Sequence, residues 1–317
     1  MRAAILTEPG LAPSVGEYPD PADLPGRSLV RVTAAPVVPL DVLCGSGASY
    51  FGQPATPYVP GVQGVGLLPD GQQVWFATSA GMAAGDGSLA QLCSVADADL
   101  VPVDAVVNDE SLAALGLSAI AAWMCLTWRA RLRPGERVVV LGGGGAVGQS
   151  AIGAALALGA GQVIAVCRSE AAAGRARNAG ASVVVPFHDD VDALAAALRA
   201  AIAGPVDVVI DPVFGAAATA AVKVLGEGGR LVNLGGAAGD AATFSSAALR
   251  SRSISVLGYT NNSLSATQRA QALTSVAALA ADGKLSVAHT VQPLDRVADA
   301  WLATAAGRAA PRWILLP

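Results

Sequence analysis

From Arg137 onward, runs of consecutive apolar residues alternate with blocks whose apolar positions recur every three or four residues. Unbroken Val, Ile and Leu runs suit strands buried on both faces of a parallel sheet, and the three-to-four spacing suits helices laid over them. The pattern predicts strands over residues 137–141, 162–167, 182–185, 206–210, 230–234 and 254–257. It predicts helices over 146–158, over 191–202 with Val191, Leu194, Leu198 and Ile202 on one face, and over 216–225, closed by Gly226. Right-handed crossovers of such units build a doubly wound parallel sheet.

The first 110 residues follow another pattern. Short β-rich runs at 3–6, 29–33, 65–67, 73–76 and 89–93 are separated by Pro- and Gly-rich turns, which predicts an antiparallel β-rich domain. After Gly258, helical patterns at 265–281 and 294–306 and an apolar run at 313–316 do not extend the alternation and are expected to return to the first domain. The expected division is 1–115 with 260–317 as a β-rich domain, and 116–259 as the α/β domain.

Composition raises a membrane question, since 53% of residues are hydrophobic, only 14% are charged, and the mean hydropathy is +0.51. Thirty residues without a charge lie between Arg137 and Arg168. Four consecutive glycines, Gly142 to Gly145, divide that run, and each costs about 1 kcal/mol relative to Ala inside a helix, so strand, turn, helix and second strand fit better than one spanning helix. The net charge of −4, with two Lys and eighteen Arg scattered along the chain, argues against nucleic-acid binding through a basic patch. Cys44, Cys93, Cys125 and Cys167 form no C-x-x-C pair, which fits a reducing, cytoplasmic setting. Glu8 and Pro9 interrupt the N-terminus before a signal-peptide core could form.

Candidate chemistry concentrates at Gly143-x-Gly145-x-x-Gly148. The triplet follows a predicted strand and opens a predicted helix within about thirty residues of strand, helix and strand, the setting a dinucleotide fingerprint requires. Gly143 is expected to make the tight turn, Gly145 to let the backbone approach a pyrophosphate, and Gly148 to pack helix on sheet, with the N–H groups of Ala146 and Val147 facing the phosphates. Twenty residues past Gly148, where an NAD site carries an acid for the ribose, stand Arg168 and Ser169. That favours a 2′-phosphate, hence NADPH. Ser169 is also expected to cap the next helix, with Glu170 in its first turn; the alternative for Arg168 is a solvated surface arginine.

Several separated stretches together resemble the medium-chain dehydrogenase/reductase superfamily, most closely its zinc-free quinone oxidoreductase-like branch. They are residues 133–142 with 145–148, residues 207–215 and 228–235, which are similar to the family's fourth and fifth nucleotide-domain strands, and Val59-Pro60-Gly61-Val62-Gln63-Gly64-Val65-Gly66. The resemblance implies a GroES-like β-rich catalytic domain beside a Rossmann domain, in a homodimer joined along the edge strand at 254–257. It implies cofactor contacts at Ser118, Val213, Phe214, Leu234 and Gly235; the alternative for Ser118 is an ordinary helix serine.

Where zinc-dependent relatives read His-Glu, this chain has Val62-Gln63, and its two histidines, His188 and His289, do not supply a ligand set, so no metal is expected. Val38-Pro39-Leu40-Asp41 departs from the family's Asn-Pro-x-Asp by its Val. Asp41 is therefore a candidate catalytic acid or a helix cap, and Tyr50 a candidate proton donor or a wall of the substrate cleft. The implied activity is transfer of a hydride from NADPH to a quinone or α,β-unsaturated carbonyl compound, a small-molecule substrate, between the two domains. A tailoring reductase of a polyketide-like metabolite and a non-catalytic NADPH-binding protein are the alternatives.

Overall fold

In the computed structural model, which describes residues 1–307 and 311–317, the apolar runs after Arg137 form one six-stranded parallel sheet. Its spatial order is Val183–Pro186, Gln162–Cys167, Arg137–Leu141, Val206–Asp211, Leu225–Asn233 and Ser255–Gly258. In chain order this is 3-2-1-4-5-6, the arrangement of dinucleotide-binding folds, and the order reverses between the first and fourth strands, where such sheets bind their ligands. Val139, Leu141, Ile164, Val209 and Leu231 meet the small-residue faces of the helices, among them Leu194, Ala195, Leu198, Ala217, Ala218 and Ala221, in one core. Alanines at these positions let helices lie close to the β-branched strands at little entropic cost.

The strand predictions at 137–141 and 162–167 match the observed bounds, and the others shift by a residue or a few. Gly226 does not close a helix. Helix Gly215–Val224 runs directly into strand Leu225–Asn233, and a Cβ on Gly226 would lie 2.6 Å from the Pro205 ring, so the glycine permits close strand contact beside the register shift at Val206 and Val208.

The chain divides into two compact units, Met1–Gly116 with Ala288–Pro317, and Leu117–Val287. This corrects the expectation for 260–287, which lies in the unit of the parallel sheet. Helix Ala266–Ala281, started by a capping box of Ser265 and Gln268, buries Ala272, Leu273, Val276 and Ala277. Just beyond it, Leu285 fits against the bare Cα of Gly153, a contact open only to glycine in helix Ala146–Ala157. The remaining tail does return to the first unit: Arg312–Leu316 pairs antiparallel with Arg27–Pro36 and parallel with His289–Pro293. The rest of that sheet is antiparallel, running on through Gln63–Leu67, Gln73–Ala77 and Leu100–Pro102, with Leu92–Ala96 also on Arg27–Pro36.

Among the described residues, one helix, Asp109–Arg129, is long and apolar enough to cross a membrane, and 72% of its apolar window is buried inside the protein. It is kinked at Gly116 (φ 32°, ψ −130°), where a Cβ would lie 2.8 Å from Cδ of Gln63.

Candidate functional site

Four glycines at the end of strand Arg137–Leu141 have different tasks. Gly142 (φ 65°) makes the turn that the sequence pattern placed at Gly143, and its Cα faces the Val213 side chain. Gly143 instead packs on the next strand: a Cβ there would lie 2.5 Å from that of Ala165. Gly144 is pressed against the backbone of Ala172, and Gly148 against the Gly142 carbonyl and the Gly143 Cα, as expected of a helix held on its sheet. Gly145 alone opens outward, with only the Gly142 oxygen, at 3.4 Å, near the position of a Cβ.

Helix Ala146–Ala157 starts immediately after, so the N–H groups of Ala146 and Val147 lie in a first turn that offers them no intrahelical partner. The opposite side of the loop is occupied: the Gly144 carbonyl accepts from Arg175 Nε (2.9 Å) and from Gln149 Nε2 (3.1 Å). Donors outward, carbonyls tied back and room at Gly145 fit a pyrophosphate.

At the end of strand Gln162–Cys167, Arg168 is exposed, with its guanidinium 5.0 Å from the centre of the Phe187 ring. Ser169 Oγ caps helix Glu170–Asn178 by accepting from Ala172 N at 3.2 Å, as predicted, and its hydroxyl proton remains available for a further acceptor. Glu170 pairs with Arg177 at 2.5 Å.

Val213, Phe214, Leu234 and Gly235 come together beyond the fourth and fifth strands. The fully buried Asp211 accepts from the backbone N–H of Val213 (3.0 Å) and of Phe214 (2.7 Å), which holds Phe214 at φ 61°. Burial pushes the Asp211 carboxyl above its ordinary range, and the two N–H donors and Asn233 oppose that shift. Ser118 is 8% exposed, two residues after the kink at Gly116.

In the first unit, Asp41 has the geometry of a helix cap and not of a group open to a ligand. One carboxylate oxygen accepts from Val38 N and the other from Val62 N, both at 2.8 Å, and the residue is 2% exposed. Burial raises its pKa to about 6, and the neighbouring Arg312, itself buried and held below its usual range at about 10, moderates the rise. Tyr50 is 78% exposed, its ring 4.2 Å from that of Phe51. Gln63 accepts from Trp75 Nε1 at 3.2 Å, and no group of three or more His, Cys, Asp or Glu side chains converges among the described residues.

Residues 146–281 match the family model for zinc-binding dehydrogenases. The chain is 29% identical over 266 residues to quinone oxidoreductase-like protein 2 of Mus musculus, covering 81% of this chain and 74% of that protein. It superimposes over its whole length on a quinone oxidoreductase from Thermus thermophilus, solved also in complex with NADPH (26% identity, TM-score 0.80, all of both chains). In sequence and fold the chain is similar to the quinone oxidoreductase-like medium-chain dehydrogenase/reductases. It is also 30% identical over 301 residues to a phenolphthiocerol/phthiocerol polyketide synthase polypeptide of Mycobacterium tuberculosis, and these span 88% of this chain but only 13% of that much longer protein.

Sequence reasoning missed Arg175, Asp211, Asn233 and Asn261. Asp211 carried a signal, an acid ending an apolar strand just before Pro212, where Asp side chains turn back onto the following N–H groups. Arg175 and the two asparagines carried none, because Arg175 reaches Gly144, Asn233 reaches Asp211 and Asn261 reaches Leu117, all distant in sequence.

Proposed function

We propose that this oxidoreductase is an NADPH-dependent reductase of quinones or α,β-unsaturated carbonyl compounds that works without a metal. The observation that carries the reading is the pairing of the open face at Gly145 with an exposed Arg168 that no carboxylate engages among the described residues. In this reading Gly145, Ala146 and Val147 hold the pyrophosphate. Arg168 and the Ser169 hydroxyl hold the 2′-phosphate, and Ser118, Val213, Phe214, Leu234 and Gly235 lie along the nicotinamide. The bound dinucleotide supplies a hydride for an electrophilic carbon. The chain's own part is to orient the reactants, keep the site dry and meet the negative charge that develops on the substrate oxygen with hydrogen-bond donors. Tyr50 is the proton donor we assign, with water as the other source.

The likeness to a polyketide synthase favours a second reading, in which the unsaturated substrate is an enoyl thioester of a polyketide-like chain. Stopped-flow NADPH oxidation with quinones, enones and enoyl thioesters separates the two by which class turns over. NADPH binding with no turnover of any class would leave a non-catalytic cofactor-binding protein.

A further inference from the structure

The glycine-rich loop is held where Gly144 and Gly148 press against neighbouring backbone. Of the segments assigned to the nicotinamide side, one has such a contact, Gly235 against the Pro212 carbonyl. They are the first residues after strand ends and the helix that resumes after the kink, positions at which backbone moves unless something ties it. One unbroken run of hydrogen bonds ties all of them.

It begins at Asp211, whose Oδ1 fixes the N–H groups of Val213 and Phe214. Phe214 sits at a positive φ, which a residue with a side chain keeps only where its surroundings enforce it. The Asn233 amide crosses from the fifth strand to the fourth, donating to the Asp211 carbonyl at 3.1 Å and to the Gly235 carbonyl at 2.7 Å, with the Asp211 carboxylate at 3.3 Å. The Asn233 carbonyl accepts from Tyr259 N at 2.8 Å, beyond the edge strand. The Tyr259 hydroxyl donates to Asn261 Oδ1 at 2.7 Å, and Asn261 Nδ2 donates to the carbonyl of Leu117, the residue before Ser118, at 3.1 Å. Trp128 meets the Tyr259 ring edge-on at 6.3 Å. Burial pushes the phenol up, so it stays a donor at any ordinary pH. The Leu117 carbonyl can only accept, which fixes the direction of every bond from it back to Tyr259.

We infer that Asn233 and Asn261 are positioning residues for the nicotinamide half of the dinucleotide. Asn233 locks the loops after the fourth and fifth strands to each other, and Asn261, through Tyr259, locks the edge of the sheet to the helix segment that carries Ser118. Both act through the backbone they hold. The inference rests on the NADPH reading and adds to it a division of labour. Neither the phosphate loop nor Arg168 is part of the run, so the adenine half should bind independently of it.

The test uses two probes, NADPH and 2′,5′-ADP, which carries the adenosine and 2′-phosphate but no nicotinamide. Titration calorimetry measures both on the wild type, Asn233→Ala, Asn261→Ala and Tyr259→Phe, with melting temperatures recorded alongside. Tyr259→Phe deletes one hydroxyl and keeps the ring against Trp128, so it remains informative if an asparagine variant fails to fold. NADPH affinity is expected to fall about tenfold, the size of one lost hydrogen bond, while 2′,5′-ADP affinity is unchanged. In steady-state assays kcat should fall with the KM of the acceptor unaltered. Equal losses for the two probes, or no loss for NADPH in a folded variant, would overturn the inference and leave the NADPH reading standing. A wild type that binds neither probe would overturn both.

Discussion

Gly145 and Gly148 stand three residues apart at the start of helix Ala146–Ala157, yet replacing each with Ala should have opposite consequences. At Gly145 the backbone is extended (φ −78°, ψ 170°), and a methyl group would meet only the Gly142 oxygen at 3.4 Å, an ordinary contact. Removing a glycine stabilises by about 0.4–1 kcal/mol through the unfolded chain, and placing Ala at a helix N-cap costs a similar amount. The two nearly cancel, so the melting temperature should move by no more than about 4 °C. The same methyl group would occupy the space proposed for the pyrophosphate. If it removes one charge-assisted N–H bond, worth about 1.5–3 kcal/mol, NADPH binding weakens by roughly 10- to 150-fold.

At Gly148 the methyl group would lie 2.6 Å from the Gly143 Cα and still closer to the Gly142 carbonyl, both of them backbone. Helix and loop would have to part by about 1 Å, an overpacking cost of about 1–3 kcal/mol. That corresponds to roughly 2–12 °C in melting temperature. Differential scanning fluorimetry and NADPH fluorescence titration on the two variants check the pair. A Gly145→Ala protein that binds NADPH as the wild type does, or that melts well below Gly148→Ala, would refute the assignment of the open face to a ligand.

Arg168→Ala should weaken NADPH by about 10- to 150-fold, because a charge-assisted pair with the 2′-phosphate is lost, and leave NADH binding unchanged. Added salt should narrow the wild-type preference, since the site is exposed and screening acts over about 8 Å at physiological ionic strength; a preference for NADH in the wild type would discard the assignment. Asp41 predicts a pH signature: its folded pKa, raised by burial from 3.8 to about 6, makes its contribution to stability fully present below about pH 4 and lost as pH rises through 6, on the order of 3 kcal/mol. The melting-temperature difference between wild type and Asp41→Asn should therefore grow in favour of the wild type as pH falls from 7 to 4, and a flat difference would contradict the desolvation argument. Strand Ser255–Gly258 ends the parallel sheet with Val256 40% exposed, and such an edge invites pairing with a second copy. Light scattering at micromolar concentration should give a dimer mass, and Val256→Lys should shift it toward the monomer.

The sequence by itself determined the α/β unit, because strands buried on both faces require uninterrupted apolar runs and the covering helices show their own period; strands 137–141 and 162–167 were legible to the residue. It also determined that a glycine-rich turn joins strand 137–141 to the next helix and that Arg168 follows strand 162–167, since those features are local and lie within one strand, turn and helix. The tertiary structure decided what depends on residues far apart in the chain. Which glycine turns and which one packs was settled by Ala165, Ala172 and Val213, neighbours that spacing alone does not identify. The helix at 266–281 joined the second unit because Leu285 finds its complement at Gly153, and apolar periodicity says that a face will be buried without saying against what. Asp41 became a buried cap because Val62 N, twenty-one residues away, takes its second oxygen. The links of Asn233 to Asp211 and of Asn261 to Leu117 were invisible in the sequence for the same reason: they join side chains to the backbone of other elements, and only folding creates those pairs.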